Sequence, residues 1–355
     1  MKKACIATYC EWGSYGSVMQ AIGLKKALNS MGCQSFIVKD SPAPLTNLKT
    51  PFKIGKHPRQ IILNMYNNML RGKTNLRYRR SVEFINKNVD IVYYNNYDAL
   101  KKKPPQADIY IAGSDQIWHP DLCKSMFFLD FLNNGEKKYS YAASMGVTRV
   151  KPEKEQEFSR LVGDFESYSV RENEMIPVVS AHTEKQISVH IDPTFLANAD
   201  QWRELEEEYP LNKPFILVYA IYWDSRLNKE LKQLHKKTGY DVVALCTGFS
   251  KVWANKKIYD ASPGHFLWLV DHAQAVVSSS FHGVAFALNF NKRLAAVINP
   301  QSPSRINSVL DKLKVKNAPI KDVFSFYLDS YDEINAHIEK ERCMALDYLK
   351  EIVNE

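Results

Sequence analysis

Short apolar runs alternate with helical patterns along most of this chain, and this alternation limits the folds that it can adopt. Residues 4–8 have the pattern of a buried strand, apolar residues recur at helical spacing from Val18 to Leu28, and residues 35–38 again resemble a strand. Buried strands separated by helices are typical of parallel sheets that are covered on both faces. The fold class is therefore predicted as α/β.

The alternation is repeated in the second half of the chain, starting near residue 200. Strands and helices are predicted there, in chain order, at residues 214–221, 224–237, 241–246, 265–273, 275–278, 282–289, 293–298 and 304–313. Before residue 200, three further strand-like runs occur at residues 108–112, 126–131 and 139–143. These patterns predict two Rossmann-like parallel-sheet domains around a central cleft, at residues 1–198 and 199–330, with a helix in 331–355 packing back.

Composition is that of a globular protein with room for two domains: 355 residues, 45% hydrophobic and 24% charged. No run of 18 apolar residues occurs and Met1 to Ala4 leads directly into a strand pattern, so we expect neither a membrane span nor a secretory signal. Six scattered cysteines without a C-x-x-C pair favour reduced core residues. A cytoplasmic location is expected.

The net charge of +8 is unevenly distributed. Residues 41–82 contain no acidic side chain. They carry nine basic ones, namely Lys49, Lys53, Lys56, Arg59, Arg71, Lys73, Arg77, Arg79 and Arg80. Such a basic, amphipathic insertion fits weak contact with an anionic membrane surface or with a diphosphate-bearing substrate, or else a solvated helical flap. Nucleic acid is not expected, because no nucleic-acid motif accompanies the charge.

Several cofactor classes lack their motifs here. The turn from Trp12 to Ser17 has no G-x-G-x-x-G pattern, a P-loop is absent, and neither an Asp-x-Asp nor an H-E-x-x-H motif occurs. We therefore expect no nicotinamide cofactor and no metal.

The segment from Ala275 to Leu288 is the most informative for function. A short apolar strand leads into Ser278, Ser279 and Ser280, and His282 then opens an apolar helix. Ligands of open α/β sheets bind at the carboxyl ends of strands, where the next helix presents free N–H groups. His282 is therefore a candidate proton-transfer group, although a capping serine and a packed histidine would leave the same pattern.

Polar residues follow other predicted strands. Asp115 and Gln116 could bind sugar hydroxyls, with Trp118 offering a ring face, or Asp115 could simply cap a helix. Arg171 could bind a carboxylate or phosphate, or pair with its neighbour Glu172. Arg305 begins a helix, a position that disfavours a cation unless an anion is nearby.

Eight segments in order resemble the polysaccharide pyruvyl transferase family. They lie at residues 15–21, 113–118, 141–146, 169–172, 191–196, 263–267, 279–283 and 304–306. Two positions depart from the pattern of that family: Ser280 replaces a more usual Asp or Arg, and His265 replaces an acidic residue.

The resemblance implies a GT-B-like fold and transfer of pyruvate from phosphoenolpyruvate, as co-substrate and without a further cofactor, onto two hydroxyls of one sugar. It implies His282 as the general acid, and it makes a galactoside, free or lipid-linked, the expected acceptor. Donor binding is assigned to Arg171, Ser280, Phe281, Gly283, Lys292 and Arg305. Acceptor binding is assigned to Ser14, Tyr15, Asp115, Gln116 and Ser144.

Two other functions remain open at this point. A glycosyltransferase would share the fold and the cleft but would use a nucleotide sugar. A non-catalytic glycan-binding module is compatible with the departure at Ser280.

Overall fold

The structure of the chain is a computed structural model that describes residues 1–44, 58–121, 124–132, 135–300, 304–326 and 331–355. Within these ranges the strands are β1 Lys3–Ala7, β2 Gln34–Lys39, β3 Ile91–Tyr93, β4 Ile109–Ala112, β5 Lys138–Ser140, β6 Tyr168–Val170, β7 Ile187–Val189, β8 Phe215–Tyr219, β9 Asp241–Leu245, β10 Lys256–Ile258, β11 Ala275–Ser278 and β12 Leu294–Ala296.

The helices alternate with these strands. They are α1 Tyr15–Ser30, α2 Pro58–Met69, α3 Arg71–Asn88, α4 Tyr97–Lys102, α5 Pro152–Val162, α6 Ile176–Ser180, α7 Ala199–Arg203, α8 Ser225–Thr238, α9 Pro263–Asp271, α10 Phe281–Asn289, α11 Ser304–Lys312, α12 Val323–Phe326 and α13 Asp332–Asn354.

Two parallel five-stranded sheets form the framework. Their strand orders are β3-β2-β1-β4-β5 and β10-β9-β8-β11-β12. In both sheets the order reverses beside the first strand, between β1 and β4 and between β8 and β11. Such a reversal leaves a crevice at the carboxyl ends of the two central strands, which is where open α/β sheets bind ligands. The loops after β1, β4, β8 and β11 are therefore the positions to inspect for a site.

A smaller parallel pair, β6 and β7, extends the edge of the first sheet. Bridges join Tyr139 to Ser167 and Ala143 to Val170. Both strands are short, and a charged residue follows each of them: Arg171 comes directly after β6, and Asp192 lies three residues beyond the end of β7. The pair thus carries two ionisable groups to the same edge as the ends of β4 and β5.

Helix α13 packs back onto the first sheet. Ile338, Ala345, Leu349, Ile352 and Val353 belong to the same apolar core as α1 and β1. Polar contacts fix the helix at its end, where the Tyr348 hydroxyl donates to the Ser140 carbonyl at 2.9 Å and the Tyr139 hydroxyl donates to Glu355 at 2.7 Å. The division of the chain at residue 198 stays a prediction.

Most predicted elements occur within a residue or two of their expected bounds, but residues 126–131 do not form a strand. Residues Ser125–Phe128 form a 3₁₀ turn, and Leu129 has a left-handed backbone with φ of 56° that ends it. The run is apolar because Phe127, Phe128 and Phe131 are buried in a core, not because it pairs in a sheet. Apolar character alone does not separate these two causes.

The basic stretch at residues 41–82 is helical where it is described. Residues 45–57, with Lys49, Lys53 and Lys56, lie outside the described residues. In α3, Arg77 is buried and donates to the Cys246 carbonyl at 3.3 Å, while Arg80 donates to the Asp260 carbonyl at 2.9 Å. These contacts hold α3 on the second sheet, so Arg77 and Arg80 are engaged within the protein; contact of the basic stretch with a membrane stays a prediction. Arg79 is exposed.

Candidate active site

Strand ends from both sheets meet in the cleft between them. Gly16, near the start of α1, lies against His282 of α10 so closely that a side-chain Cβ built on Gly16 would be 1.9 Å from the imidazole Nδ1. Only glycine permits this approach at that position. The start of α1 and the start of α10 therefore form opposite walls of one site.

Asp192 lies at the centre of the site and is fully buried. Its Oδ2 accepts from Arg171 Nη1 at 2.8 Å and from the Ser114 hydroxyl at 3.3 Å, and its Oδ1 accepts from Thr194 N at 3.0 Å. His282 Nε2 lies 3.9 Å from the same Oδ2. Burial raises the pKa of the carboxyl group, but the charges of His282 and Arg171 and the Thr194 N–H outweigh it, so the pKa of Asp192 is lowered.

Arg171 connects this carboxylate to a second one. Its Nε donates to Glu172 Oε1 at 2.9 Å, and the Ser144 hydroxyl donates to the same oxygen at 2.9 Å. The guanidinium also lies over the Phe281 ring, 4.3 Å from its centroid. Burial lowers the pKa of Arg171, but Glu172 and Asp192 act in the opposite direction and leave it raised. Arg171 is therefore a permanent, rigidly held cation.

Arg305, in the first turn of α11, brings a second guanidinium to the group. Its pKa is lowered by burial and by repulsion from Arg171, although Asp115, Glu172 and Asp192 act in the opposite direction. Two guanidinium groups that repel each other in a buried setting create a local preference for an anion.

Four buried polar atoms in this group have no hydrogen-bond partner among the described residues. They are Arg171 Nη2, Glu172 Oε2, His282 Nε2 and Arg305 Nε. An unsatisfied buried polar group costs about 1–3 kcal/mol, more for a charged one, so four in one place indicate a binding site for a polar ligand. A narrow recess lined by Arg171, Asp192, Phe281 and Arg305 has a volume of about 10 Å³, which is room for about one water molecule.

The His282 ring is buried, and burial lowers its pKa below the ordinary value. Asp192 and Asp115 act in the opposite direction, whereas Arg171 and Arg305 add to the lowering. The ring is therefore mainly neutral at neutral pH. Anionic charge bound beside it would raise its pKa and favour the protonated form.

Helix α10 begins at the same place. Its N-cap residue Ser280 makes no side-chain capping bond, which leaves first-turn N–H groups without an intrahelical partner. Gly283 is packed tightly there, because a Cβ would lie 2.2 Å from the Ser278 hydroxyl. Free N–H groups and the positive end of the helix dipole both favour an anion.

Asp115 and Gln116 follow β4 at the rim of the cleft and are half-buried. Asp115 has a left-handed backbone with φ of 72°, as Ala142 has with φ of 46° after β5. Such conformations cost of order 1–3 kcal/mol outside glycine, though less for aspartate, and are concentrated at functional sites. The carboxylate of Asp115 acts electrostatically on His282, Arg171 and Arg305, which places it at this site.

Several residues assigned from sequence have other surroundings. Lys292 precedes β12 and therefore lies at the opposite, amino-terminal edge of the second sheet, 3.1 Å from Asp271 Oδ1. Its assignment to the donor site is wrong on position. Lys292 follows α10, the helix that contains His282. Because α10 runs back along the sheet, its far end brings Lys292 to the opposite edge.

Three assigned acceptor contacts are enclosed by protein. Trp118 is fully buried and stacks on Phe128, so its ring offers no face to a sugar. Tyr15 is buried and donates its hydroxyl to the Ala261 carbonyl at 3.0 Å, and Ser144 is fully buried beneath Glu172. Ser14 is half-buried at the start of α1, where its hydroxyl caps the helix by accepting from Ser17 N.

Sequence reasoning did not assign Asp192, Glu172 or Ser114 to the site. The signal available was the order Asp192-Pro193-Thr194, in which an aspartate precedes a residue two positions on that it can cap. This order predicts a turn that Asp192 caps with one carboxylate oxygen. It does not indicate which cation binds the second carboxylate oxygen of Asp192.

Comparison with known families resolves the identity of this arrangement. The family profile of polysaccharide pyruvyl transferases matches residues 15–301, which include His282, Arg171, Asp192 and Asp115. The chain belongs to the polysaccharide pyruvyl transferase family. It is therefore assigned to an enzyme family, as the ordered segments of its sequence predicted, and the predicted role in polysaccharide biosynthesis is supported at this level.

Two solved structures resemble the chain along nearly its whole length. A UDP-GlcNAc 2-epimerase from Neisseria meningitidis, bound to UDP-GlcNAc, is 12% identical with a TM-score of 0.53, covering 98% of this chain and 99% of its own. UGT89C1 of Arabidopsis thaliana, complexed with quercetin, is 10% identical with a TM-score of 0.49 and covers 98% of each chain. The GT-B-like prediction is confirmed.

Other comparisons are brief. The search of curated proteins finds no match. Within the described part of the chain, none of the helices combines the length and the apolar character needed to cross a bilayer.

Proposed function

We propose that the chain transfers the enolpyruvyl carbons of phosphoenolpyruvate onto two hydroxyls of a galactose-like residue, forming a cyclic ketal and releasing phosphate. The observation that carries this proposal is the convergence of Arg171, Arg305 and His282, each with a buried nitrogen that has no hydrogen-bond partner among the described residues. A small molecule with a carboxylate and a phosphate supplies acceptors for these three nitrogens.

The donor is held by complementary charge. Arg171 is fixed by Glu172 and Asp192, so its free Nη2 offers one oriented donor. Arg305 Nε and the first-turn N–H groups of α10 offer others. In this proposal the carboxylate and phosphate of phosphoenolpyruvate lie between the two guanidinium groups and relieve their mutual repulsion.

His282 moves the protons. Binding of the anionic donor raises the pKa of the ring, so the imidazolium is formed where it is needed. It delivers a proton to the methylene carbon of phosphoenolpyruvate, and a sugar hydroxyl oxygen bonds to the adjacent carbon. The bond from that carbon to the phosphate oxygen then breaks. The second hydroxyl closes the ketal; neutral His282 accepts the proton of one hydroxyl, and the departing phosphate takes the proton of the other.

These steps need a proton donor and stabilisation of negative charge, both of which the side chains supply. We therefore propose a reaction that uses neither a metal nor a further cofactor. Undiminished turnover after treatment with a chelator is the expected result, and restoration of lost turnover by a divalent cation would contradict it.

The acceptor sugar binds on the side of Asp115 and Gln116. Both are half-buried at the rim, and their carboxylate and amide groups suit sugar hydroxyls. Ser14 lies at the start of the same wall as Gly16. The enclosed residues Tyr15 and Ser144 support this wall rather than contact the sugar.

The test is incubation of the chain with phosphoenolpyruvate and a panel of galactosides, followed by mass spectrometry for a pyruvate ketal and by a phosphate assay. The variant His282→Ala is the matched control, with an expected loss of turnover of about 10² to 10⁴. Transfer from a nucleotide sugar instead, or sugar binding without phosphate release, would replace this function by one of the two alternatives.

We further propose that the acceptor is lipid-linked and is met at the anionic cytoplasmic face of a membrane. Helix α2 supports this proposal. Ile61, Met65 and Met69 are spaced four residues apart along one line of the helix and are 43%, 62% and 82% exposed. The exposed Lys73 and Arg79 follow in α3. An apolar stripe beside basic residues is typical of interfacial helices.

Sedimentation with anionic vesicles at low salt tests this contact. The double variant Lys73→Glu and Arg79→Glu is expected to bind less than the wild-type chain, since each basic residue near such a surface contributes about 1 kcal/mol. Lys229→Glu with Lys236→Glu, on exposed positions of α8, makes the same change in net charge. Equal loss in both double variants would assign the effect to net charge alone.

A further inference from the structure

Helix α11 turns one face toward the donor recess. Arg305, Ser308, Val309 and Lys312 all line it, and their spacing of three, four and seven residues places them on one side of a helix. Lys312 is therefore a third cation at the recess that contains Arg171 and Arg305. The acids of the same recess, Glu172 and Asp192, are both bound to Arg171.

A larger groove adjoins the recess between α11 and α13. Its volume is roughly 420 Å³, and its lining includes the basic Lys314 and Lys340 and the acidic Glu174 and Asp311. Ser308 and Lys312 line both the groove and the recess. These two side chains therefore mark the point at which the groove meets the donor site.

Lys312 has a replaceable partner. Its Nζ lies 3.0 Å from Glu341 Oε2 of α13, and the two side chains are 18% and 16% exposed. This ion pair joins two different helices across the groove. A phosphate that reaches the junction carries more negative charge than one carboxylate and competes for the same ammonium group.

We propose that the groove between α11 and α13 is the path of the anionic donor, and that Lys312 exchanges Glu341 for the donor's phosphate. The inference rests on the proposed use of phosphoenolpyruvate. It gives α13 a role at the active site, because Glu341 of α13 binds Lys312 until the phosphate of the donor replaces it.

Two variants of the Lys312–Glu341 pair distinguish a role of Lys312 in donor binding from a structural tie between the two helices. Lys312→Met is expected to raise the KM for phosphoenolpyruvate on the order of tenfold to a hundredfold, with little change in the KM for the sugar. Glu341→Gln releases the lysine and is expected to lower the KM for phosphoenolpyruvate roughly two- to fivefold. Lys229→Met, at an exposed position of α8 outside both the groove and the recess, is the control and should change neither KM.

The opposite signs are decisive. If Lys312→Met and Glu341→Gln both raise the KM for phosphoenolpyruvate, or if Lys229→Met raises it as much as Lys312→Met, the pair is a structural tie and the inference is overturned. A second readout is thermal stabilisation by inorganic phosphate, which Lys312→Met should weaken. If the wild-type chain does not turn over phosphoenolpyruvate, the proposed function fails, and equal stabilisation of wild type and Lys312→Met by phosphate then overturns this inference as well.

Discussion

Replacing Gly16 with alanine tests the position of His282 without touching the histidine. The added Cβ would lie 1.9 Å from Nδ1 and 2.2 Å from Cγ of the ring. Unbonded heavy atoms prefer separations of about 3.5 Å or more, so the ring has to move by roughly 1.5 Å. Displacing a reacting group by about 1 Å can cost on the order of 10²-fold in rate.

The expected result is therefore a kcat lowered by at least about 10²-fold in a chain that still folds. Overpacking costs about 1–3 kcal/mol, and alanine in a helix recovers about 0.5–1 kcal/mol relative to glycine. Phosphate release measures the rate, and thermal melting measures the stability. Gly13→Ala is the control, because nothing lies within 4 Å of a Cβ at that position.

A Gly16→Ala variant that melts cooperatively and keeps kcat within about threefold of wild type would refute the reasoning. It would mean that the ring of His282 either lies elsewhere during turnover or takes no part in it. A loss of activity in Gly13→Ala of the same size would instead assign the effect to the turn before α1.

Three further predictions concern charge. Asp115→Asn keeps a residue that tolerates the left-handed backbone but removes a charge that raises the pKa of His282. The alkaline limb of the kcat–pH profile should therefore move to lower pH. A limb at the same or a higher pH would contradict this prediction. Arg305→Ala should raise the KM for phosphoenolpyruvate about ten- to a hundredfold and leave the KM for the sugar unchanged. Arg171→Ala should do the same and should also lower the melting temperature, because it leaves Glu172 and Asp192 buried without their cation. An effect of either variant on the KM for the sugar alone would place that arginine on the acceptor side. Burial lowers the pKa of His190 to about 4, below its unfolded value near 6.5. The contribution of His190 to the free energy of unfolding is therefore present above pH 6.5 and is lost as the pH falls toward 4, by up to about 3 kcal/mol. Urea titrations of wild type and His190→Gln should converge across that pH window, and a constant difference would show that His190 does not carry the effect.

The framework of the fold was predictable because its central strands are continuous apolar runs. β1, β8, β9 and β11 are buried almost throughout, and such strands stand out from their surroundings. The three-residue strands β3, β7 and β10 were not predicted. Their pairing depends on neighbours that lie far away in the sequence, and runs this short have no period of their own.

The site was predictable in part for the same reason. His282 and Arg305 begin helices, and a charged or titratable residue at a helix start is visible in the sequence. Asp192 and Glu172 were not assigned, because their importance comes from the distances to Arg171 and the other cations, which only the packed structure sets. Lys292 was misplaced because sequence proximity to His282 does not indicate which edge of the sheet a residue reaches.

The return of α13 to the first sheet has a consequence for how the chain is made. Lys2 donates to the carbonyl of Val353, and Tyr139 binds the side chain of Glu355. The first sheet therefore lacks part of its covering layer until α13 has been synthesised. Contacts of such long sequence separation form late, so we expect the nascent first half to expose apolar surface and to reach its final packing only when α13 is present. Deletion of α13 should for this reason disturb the first half of the protein more than the second.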